Sequence, residues 1–146
     1  MKETDYKNLS YFRTKVPIYK TQNEIRTILQ KFGLQGERFT EYKNMGVMEF
    51  ILLKDGKEMA FRFKFNLPEK DIYKQQTYRM LFHYLKNRFM AVEFGITTIE
   101  EEFLQELILK LPNNSDTTVK ELVIGQLTQS EFISELQLPF KKREDF

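Results

Sequence analysis

From residue 86 to residue 109 the chain reads KNRFMAVEFGITTIEEEFLQELIL, and this junction restricts the fold more than any other stretch. An apolar periodic run meets Gly95, the residue type that most readily takes the left-handed conformation at which helices end. Just beyond it, Thr97 and Thr98 each stand three residues before a glutamate, Glu100 and Glu101, which is the spacing of a capping box. Stop, turn and start coincide. The pattern predicts two helices hinged at Gly95, the second carrying Ile99, Phe103, Leu104, Leu107 and Ile108 towards the core. Nothing at the junction has the spacing of a nucleophile, a metal shell or a phosphate cradle.

At 146 residues, 41% hydrophobic and 14% aromatic, the chain has the length of one ordinary domain and enough apolar material for a single core. Fourteen Phe and seven Tyr without any Trp put much of the packing energy into ring burial, about 150–250 Å² per ring. The absence of Cys excludes disulfides, thiol catalysis and Cys-based zinc sites, and the single His83 excludes a His-rich metal site. No cofactor and no resident metal is expected. The opening MKETDYKNLSYFRTK has no apolar signal region, and no later apolar run approaches the roughly 18–20 residues that span a bilayer. The expectation is a cytoplasmic protein, in a host cell if viral, with no membrane partner.

The formal net charge of +2 hides a segregation. Residues 1–53 hold nine Lys/Arg and six Asp/Glu, residues 54–92 hold nine and four, and residues 93–146 hold five and eleven. Such a division fits an anion-binding face, and it equally fits basic and acidic portions that pack beside each other.

Residues 1–10 read as a flexible arm. Residues 11–20 alternate, with Val16 and Ile18 as inward candidates and Pro17 restricting the stretch to an edge strand or extended arm. Thr21 and Glu24 form a capping-box pattern, followed by Ile25, Ile28, Leu29 and Phe32 at helical spacing as far as Gly33. Strands are predicted over residues 37–43, 45–53 and 57–67, with Asp55-Gly56 as the hairpin turn between the last two. In the third, Phe61, Phe63 and Phe65 share one face, and Arg62 and Lys64 the other. A long helix from about residue 69 or 71 to residue 94 has the apolar stripe Tyr78, Leu81, Phe82, Leu85, Phe89 and Val92, with Lys74, Arg79, His83, Lys86 and Arg88 wholly or partly off it. Residues 119–127 suit a short helix or strand. Thr128 with Glu131, flanked by Leu127 and Phe132, is a further capping box with its staple. This order predicts a single α+β domain over residues 11–138, a small antiparallel sheet of three to four strands covered by helices, with a helical C-terminal third and a flexible tail over residues 139–146.

Several short motifs together resemble a family of small bacteriophage and prophage proteins. They are Lys15-Val16-Pro17-Ile18, Lys20-Thr21, Glu24-Ile25, Leu29 and Lys31-Phe32-Gly33, then the third strand into Leu67-Pro68. The series continues through Lys86, Arg88, Ala91-Val92-Glu93, Gly95-Ile96-Thr97-Thr98, Glu100 and Glu102-Phe103-Leu104. The resemblance implies a viral or prophage origin and a single small domain. It implies no catalytic residue.

For chemistry, the residues offer three classes. Arg62, Lys64, Arg79, Lys86 and Arg88 are the candidate binding residues, for a nucleic-acid backbone or a partner protein; outward Lys and Arg also serve simply to solvate a sheet and guard its edges. Glu41 and Lys43 have the Glu-x-Lys spacing of metal-dependent nucleases, a pattern common by chance and here without a second carboxylate on a neighbouring predicted strand. His83 lies one helical turn from both Arg79 and Lys86, which disfavours its protonation, and no serine or threonine has the context of its nucleophile. The favoured expectation is a phage or prophage accessory protein that acts as a non-enzymatic binding module for a host protein or nucleic acid. A metal-dependent nuclease, and an assembly component that self-associates through apolar C-terminal helices, are the alternatives.

Overall fold

A computed structural model describes residues 3–127. Asp55 and Gly56 take φ of 52° and 77°, the left-handed pair that a two-residue hairpin turn needs to match strand twist. The strands on either side, β2 (Met45–Lys54) and β3 (Lys57–Asn66), pair antiparallel from Lys54↔Lys57 to Met45↔Asn66 without a register shift. Preceding them, β1 (Leu34–Tyr42) pairs antiparallel with β2, so the sheet order is β1-β2-β3. Because side chains alternate across a strand, Met48, Phe50 and Leu52 lie on the same face as Phe61 and Phe63, and all five are buried. The other face carries an Arg38–Glu49–Arg62 ladder across all three strands, with Glu49 accepting from Arg38 at 2.9 Å and from Arg62 at 3.0 Å.

Two helices cover the apolar face. Helix α1 (Ile18–Gln30) contributes Ile25 and Leu29, and α2 (Asp71–Glu93) contributes Tyr78, Leu81, Phe82, Leu85 and Phe89 at the helical spacing of its stripe. Phe50 is the hub of the aromatic core, with ring centroids 5.3 Å from Phe61, 5.9 Å from Phe63, 6.4 Å from Phe103 and 6.5 Å from Phe89. The protein is thus an α+β fold with α1 and α2 on one face of a three-stranded antiparallel sheet.

Four local expectations are corrected. Residues 11–20 form no strand: Pro17, at φ −63° and ψ 152°, stands at the N-terminus of α1, where a fixed φ and a missing N–H suit a helix start, and Ile18 is the first helical residue. The Thr21–Glu24 capping box consequently does not form. Thr21 is fully buried inside α1 and Glu24 reaches across to Arg79. Residues 3–8 are a 3-10 helix and not a loose arm, because Tyr6 is buried and stacks on Tyr73 of α2 at 5.2 Å.

The largest correction follows Gly95. Its φ of 76° ends the long helix as expected, and the Thr98 hydroxyl accepts from the Glu101 N–H at 3.2 Å, so Thr98 and not Thr97 is the cap. The new helix, α3 (Ile99–Glu102), lasts four residues. A 3-10 turn (Leu104–Glu106) follows, and Leu107 then bridges Phe61 on the far side of β3. The chain continues into a small hairpin, β4 (Ile108–Lys110) and β5 (Asp116–Thr118), and into α4 (Val119–Leu127), where Thr118 accepts from the Glu121 N–H at 3.2 Å. Pairing to a sheet edge has overridden helical periodicity, leaving Leu104 exposed. The Thr128–Glu131 box, its staple and the tail lie outside the described residues. No helix among the described residues is long and apolar enough to cross a membrane.

Candidate functional site

The five basic residues do not share one surface. Arg62, half-buried, donates to Glu49 and, at 2.8 Å, to Asp116 of β5, and these bonds hold its guanidinium above the usual range against the cost of burial. Lys64 meets Glu121 of α4 at 3.0 Å. Arg79 donates to Glu24 at 2.6 Å and lies over the Phe82 ring. Arg88 departs furthest from expectation, since it is buried and not off the apolar stripe. It donates to both the carboxylate and the carbonyl of Glu102 and to the Glu106 carboxylate, with its guanidinium 4.4 Å from the Phe103 ring centroid. Lys86 is exposed beside the Phe82 ring. Four of the five cations are therefore matched to carboxylates of this same chain.

Glu41 pairs with Lys74 at 3.1 Å, and Lys43 sits in the β1–β2 turn with φ 48°. Among the described residues no group of three or more His, Asp or Glu side chains could hold a metal ion. His83 is stacked between Tyr11, at 4.6 Å and 4° between planes, and Phe82, at 5.0 Å and 6°. Burial first, and then Arg79 and Lys86, push its pKa below the ordinary imidazole value. Its contact with Tyr11 docks the N-terminal segment onto α2.

What the fold does assemble is a cleft of about 590 Å³. One side is α2, through Met80, Leu81 and Tyr84; the floor is β3, residues 62–66 in succession; and the opposite side is α4, through Ile124. The N-terminal turn closes one end with Tyr6 and Leu9. It is held there by Gln76, whose side-chain amide donates to the carbonyls of Tyr6 at 2.8 Å and Ser10 at 3.0 Å. Leu9, Met80, Tyr84 and Ile124 are between 41% and 52% exposed, so four large apolar side chains open into one concavity. Size and apolar lining both match sites that bind ligands or partner segments. Two buried acceptors of its lining residues, Gln76 Oε1 and Glu106 Oε2, have no hydrogen-bond partner among the described residues.

Sequence reasoning missed this cleft, although one signal was present. Thr77, Met80 and Tyr84 form a second stripe on α2, three and four residues apart, beside the stripe that enters the core. A helix apolar on two sides has two things to contact.

These features define an α+β domain with an apolar cleft between a strand edge and two helices. No family model, no curated protein and no solved structure matches the chain.

Proposed function

We propose that the protein is a non-enzymatic binding module, of phage or prophage origin, that takes an apolar segment of a host protein into the cleft between β3, α2 and α4. The viral origin is supported by the motif series through residues 15–33 and 86–104. The observation that carries the binding mode is the convergence of Leu9, Met80, Tyr84 and Ile124 on one concavity. Against a nucleic-acid partner stands the internal pairing of Arg62, Lys64, Arg79 and Arg88, because a phosphate backbone must be met by cations that are free to release its counterions. Against a nuclease stands the Lys74 partner of Glu41.

The test is selection of short random displayed peptides on the full-length protein, followed by anisotropy titration of the recovered sequences. Apolar peptides should be enriched, and Met80→Glu should abolish their binding while circular dichroism stays unchanged. Recovery of no peptide, together with a DNA or RNA complex tighter than about 100 μM at low salt that Lys86→Ala weakens, would overturn the proposal.

A second reading is favoured by one observation. None of the residues of α4 is buried, and Leu122, Val123 and Leu127 are exposed along with Ile124, which suits self-association through that helix. Sedimentation would then give a mass above the monomer that Val123→Asp returns to the monomer.

A further inference from the structure

The cleft floor is a strand edge, and this decides the form in which a partner can enter. A two-residue turn makes its flanking residues, Lys54 and Lys57, a hydrogen-bonded pair, and such pairs then alternate along an antiparallel ladder. With no register shift as far as Met45↔Asn66, residues 57, 59, 61, 63 and 65 direct their backbone N–H and C=O to β2. Residues 58, 60, 62, 64 and 66 direct theirs the other way. Leu107 sits beside that outer edge at Phe61 only, as an isolated antiparallel bridge, and the chain then leaves for β4. Among the described residues, no backbone group pairs with the outward N–H and C=O of Lys64 or Asn66. Those same residues line the cleft.

Resting on the binding-module reading above, we infer that the occupant is an extended polypeptide segment that adds to the sheet as a strand along residues 62–66 of β3. At about 3.3 Å per residue, this edge spans about 13 Å and takes a strand of about five residues. The main chain of the segment would bond Lys64 and Asn66, as in other cases of strand addition. Its side chains would alternate between two environments. On the α2 side they meet Met80, Leu81 and Tyr84; on the α4 side they meet Ile124 and the Lys64–Glu121 ion pair. Phe65, which packs edge-on against Tyr78 at 5.6 Å, and Lys64, which reaches Glu121, already mark these two sides from within β3. A segment with large apolar residues at every second position, and polar or charged ones between, therefore fits. An amphipathic helix would present its side chains at the wrong period and leave the edge unbonded.

The experiment uses the full chain and peptides recovered from the displayed library, with hydrogen exchange of the Lys64 and Asn66 amides measured with and without peptide. Binding should slow both amides at least about tenfold, the scale of one added backbone hydrogen bond. Lys64→Pro, which removes an outward N–H while sparing the β2 ladder, should weaken binding by a similar factor relative to Lys64→Ala, which removes the same side chain and keeps the N–H. Peptide binding that Met80→Glu abolishes, with both amides unprotected and Lys64→Pro binding as Lys64→Ala does, would sink the strand inference and leave the cleft reading standing. Recovery of no peptide would remove both. Amides already protected in the free chain would mean that the edge is occupied by the chain itself, which also overturns the inference. Should Lys64→Pro fail to fold, the exchange measurement on the unmodified protein decides alone.

Discussion

Replacing Arg88 with Met should be among the most damaging single changes available outside the aromatic core. The side chain is 9% exposed, and its partner Glu106 is 7% exposed. Burial opposes the guanidinium charge, but the bonds to Glu106 and Glu102 outweigh it and hold the group above its usual range. Glu106 has one oxygen on Arg88 and the other without a partner among the described residues. Removing the cation therefore leaves a buried carboxylate with no counter-charge, a loss of about 3–5 kcal/mol. The stacking of the guanidinium on Phe103 adds about 0.5–1 kcal/mol. Glu102, only a quarter exposed, lies nearer water and can rehydrate, which offsets part of the loss. A total of about 4 kcal/mol is a large share of a typical 5–15 kcal/mol stability. In urea it would lower the midpoint by about 2 M at an ordinary slope. The double change Arg88→Met with Glu106→Leu removes both charges at similar volume and should recover most of the loss, a coupling that a double-mutant cycle reads directly. A loss below about 1 kcal/mol for Arg88→Met, the value of a solvent-screened pair, would refute the view that this cluster fastens residues 99–110 to α2.

Gly95→Val should cost about 1–2 kcal/mol, because a β-branched residue is forced to a φ of 76°, although its Cβ meets nothing within 4 Å; an unchanged denaturation midpoint would contradict the strain. Phe63→Ala, at a buried site against Phe50 and Phe103, should destabilise by about 3–5 kcal/mol in the same assay. His83 has a folded pKa below its unfolded value of about 6.5, so its contribution is fully present above that value and is lost as pH falls through the window beneath it. NMR titration should give a midpoint under 6.5, and the Tyr11 resonances should report loosening on the acid side. Partner affinity should change less than about twofold between low and physiological salt, since the cleft is apolar and its Lys64 is already paired; a steep salt slope would point to phosphate contacts instead.

Elements whose signals are local were legible in the sequence. Asp55-Gly56, the alternating Phe61, Phe63 and Phe65, the stripe from Tyr78 to Phe89 and the Gly95 stop each determine their own backbone within a few residues, and each appears where expected. Elements decided by a distant neighbour were not. Leu104 and Leu107 keep helical spacing with Phe103, yet the edge of β3 at Phe61 captures Leu107 and the helix ends after one turn. Pro17 is equally at home in an extended arm and before a helix; the burial of Thr21 and Ile25 against α2 selects the helix. The cleft could not be read from any one segment, because its lining comes from five parts of the chain that meet only in three dimensions.

Charge patterning illustrates the same limit. The excess of cations in residues 54–92 and of anions in residues 93–146 admitted either a binding face or an internal match. Lys54 meets Glu100, Arg62 meets Asp116, Lys64 meets Glu121, and Arg88 meets Glu102 and Glu106. Every one of these pairs joins the basic block to the acidic one. Because opposite charges placed far apart in sequence must be brought together by packing, they fix the position of the last third of the chain against β3 and α2 more than they advertise a partner. Among the described residues, what that docking leaves uncovered is the second stripe of α2 and the Ile124 face of α4, both apolar, with the edge of β3 between them. Recognition by this protein is therefore expected to run through backbone pairing and apolar fit, with Arg62 and Lys64 of the cleft already paired within its own fold.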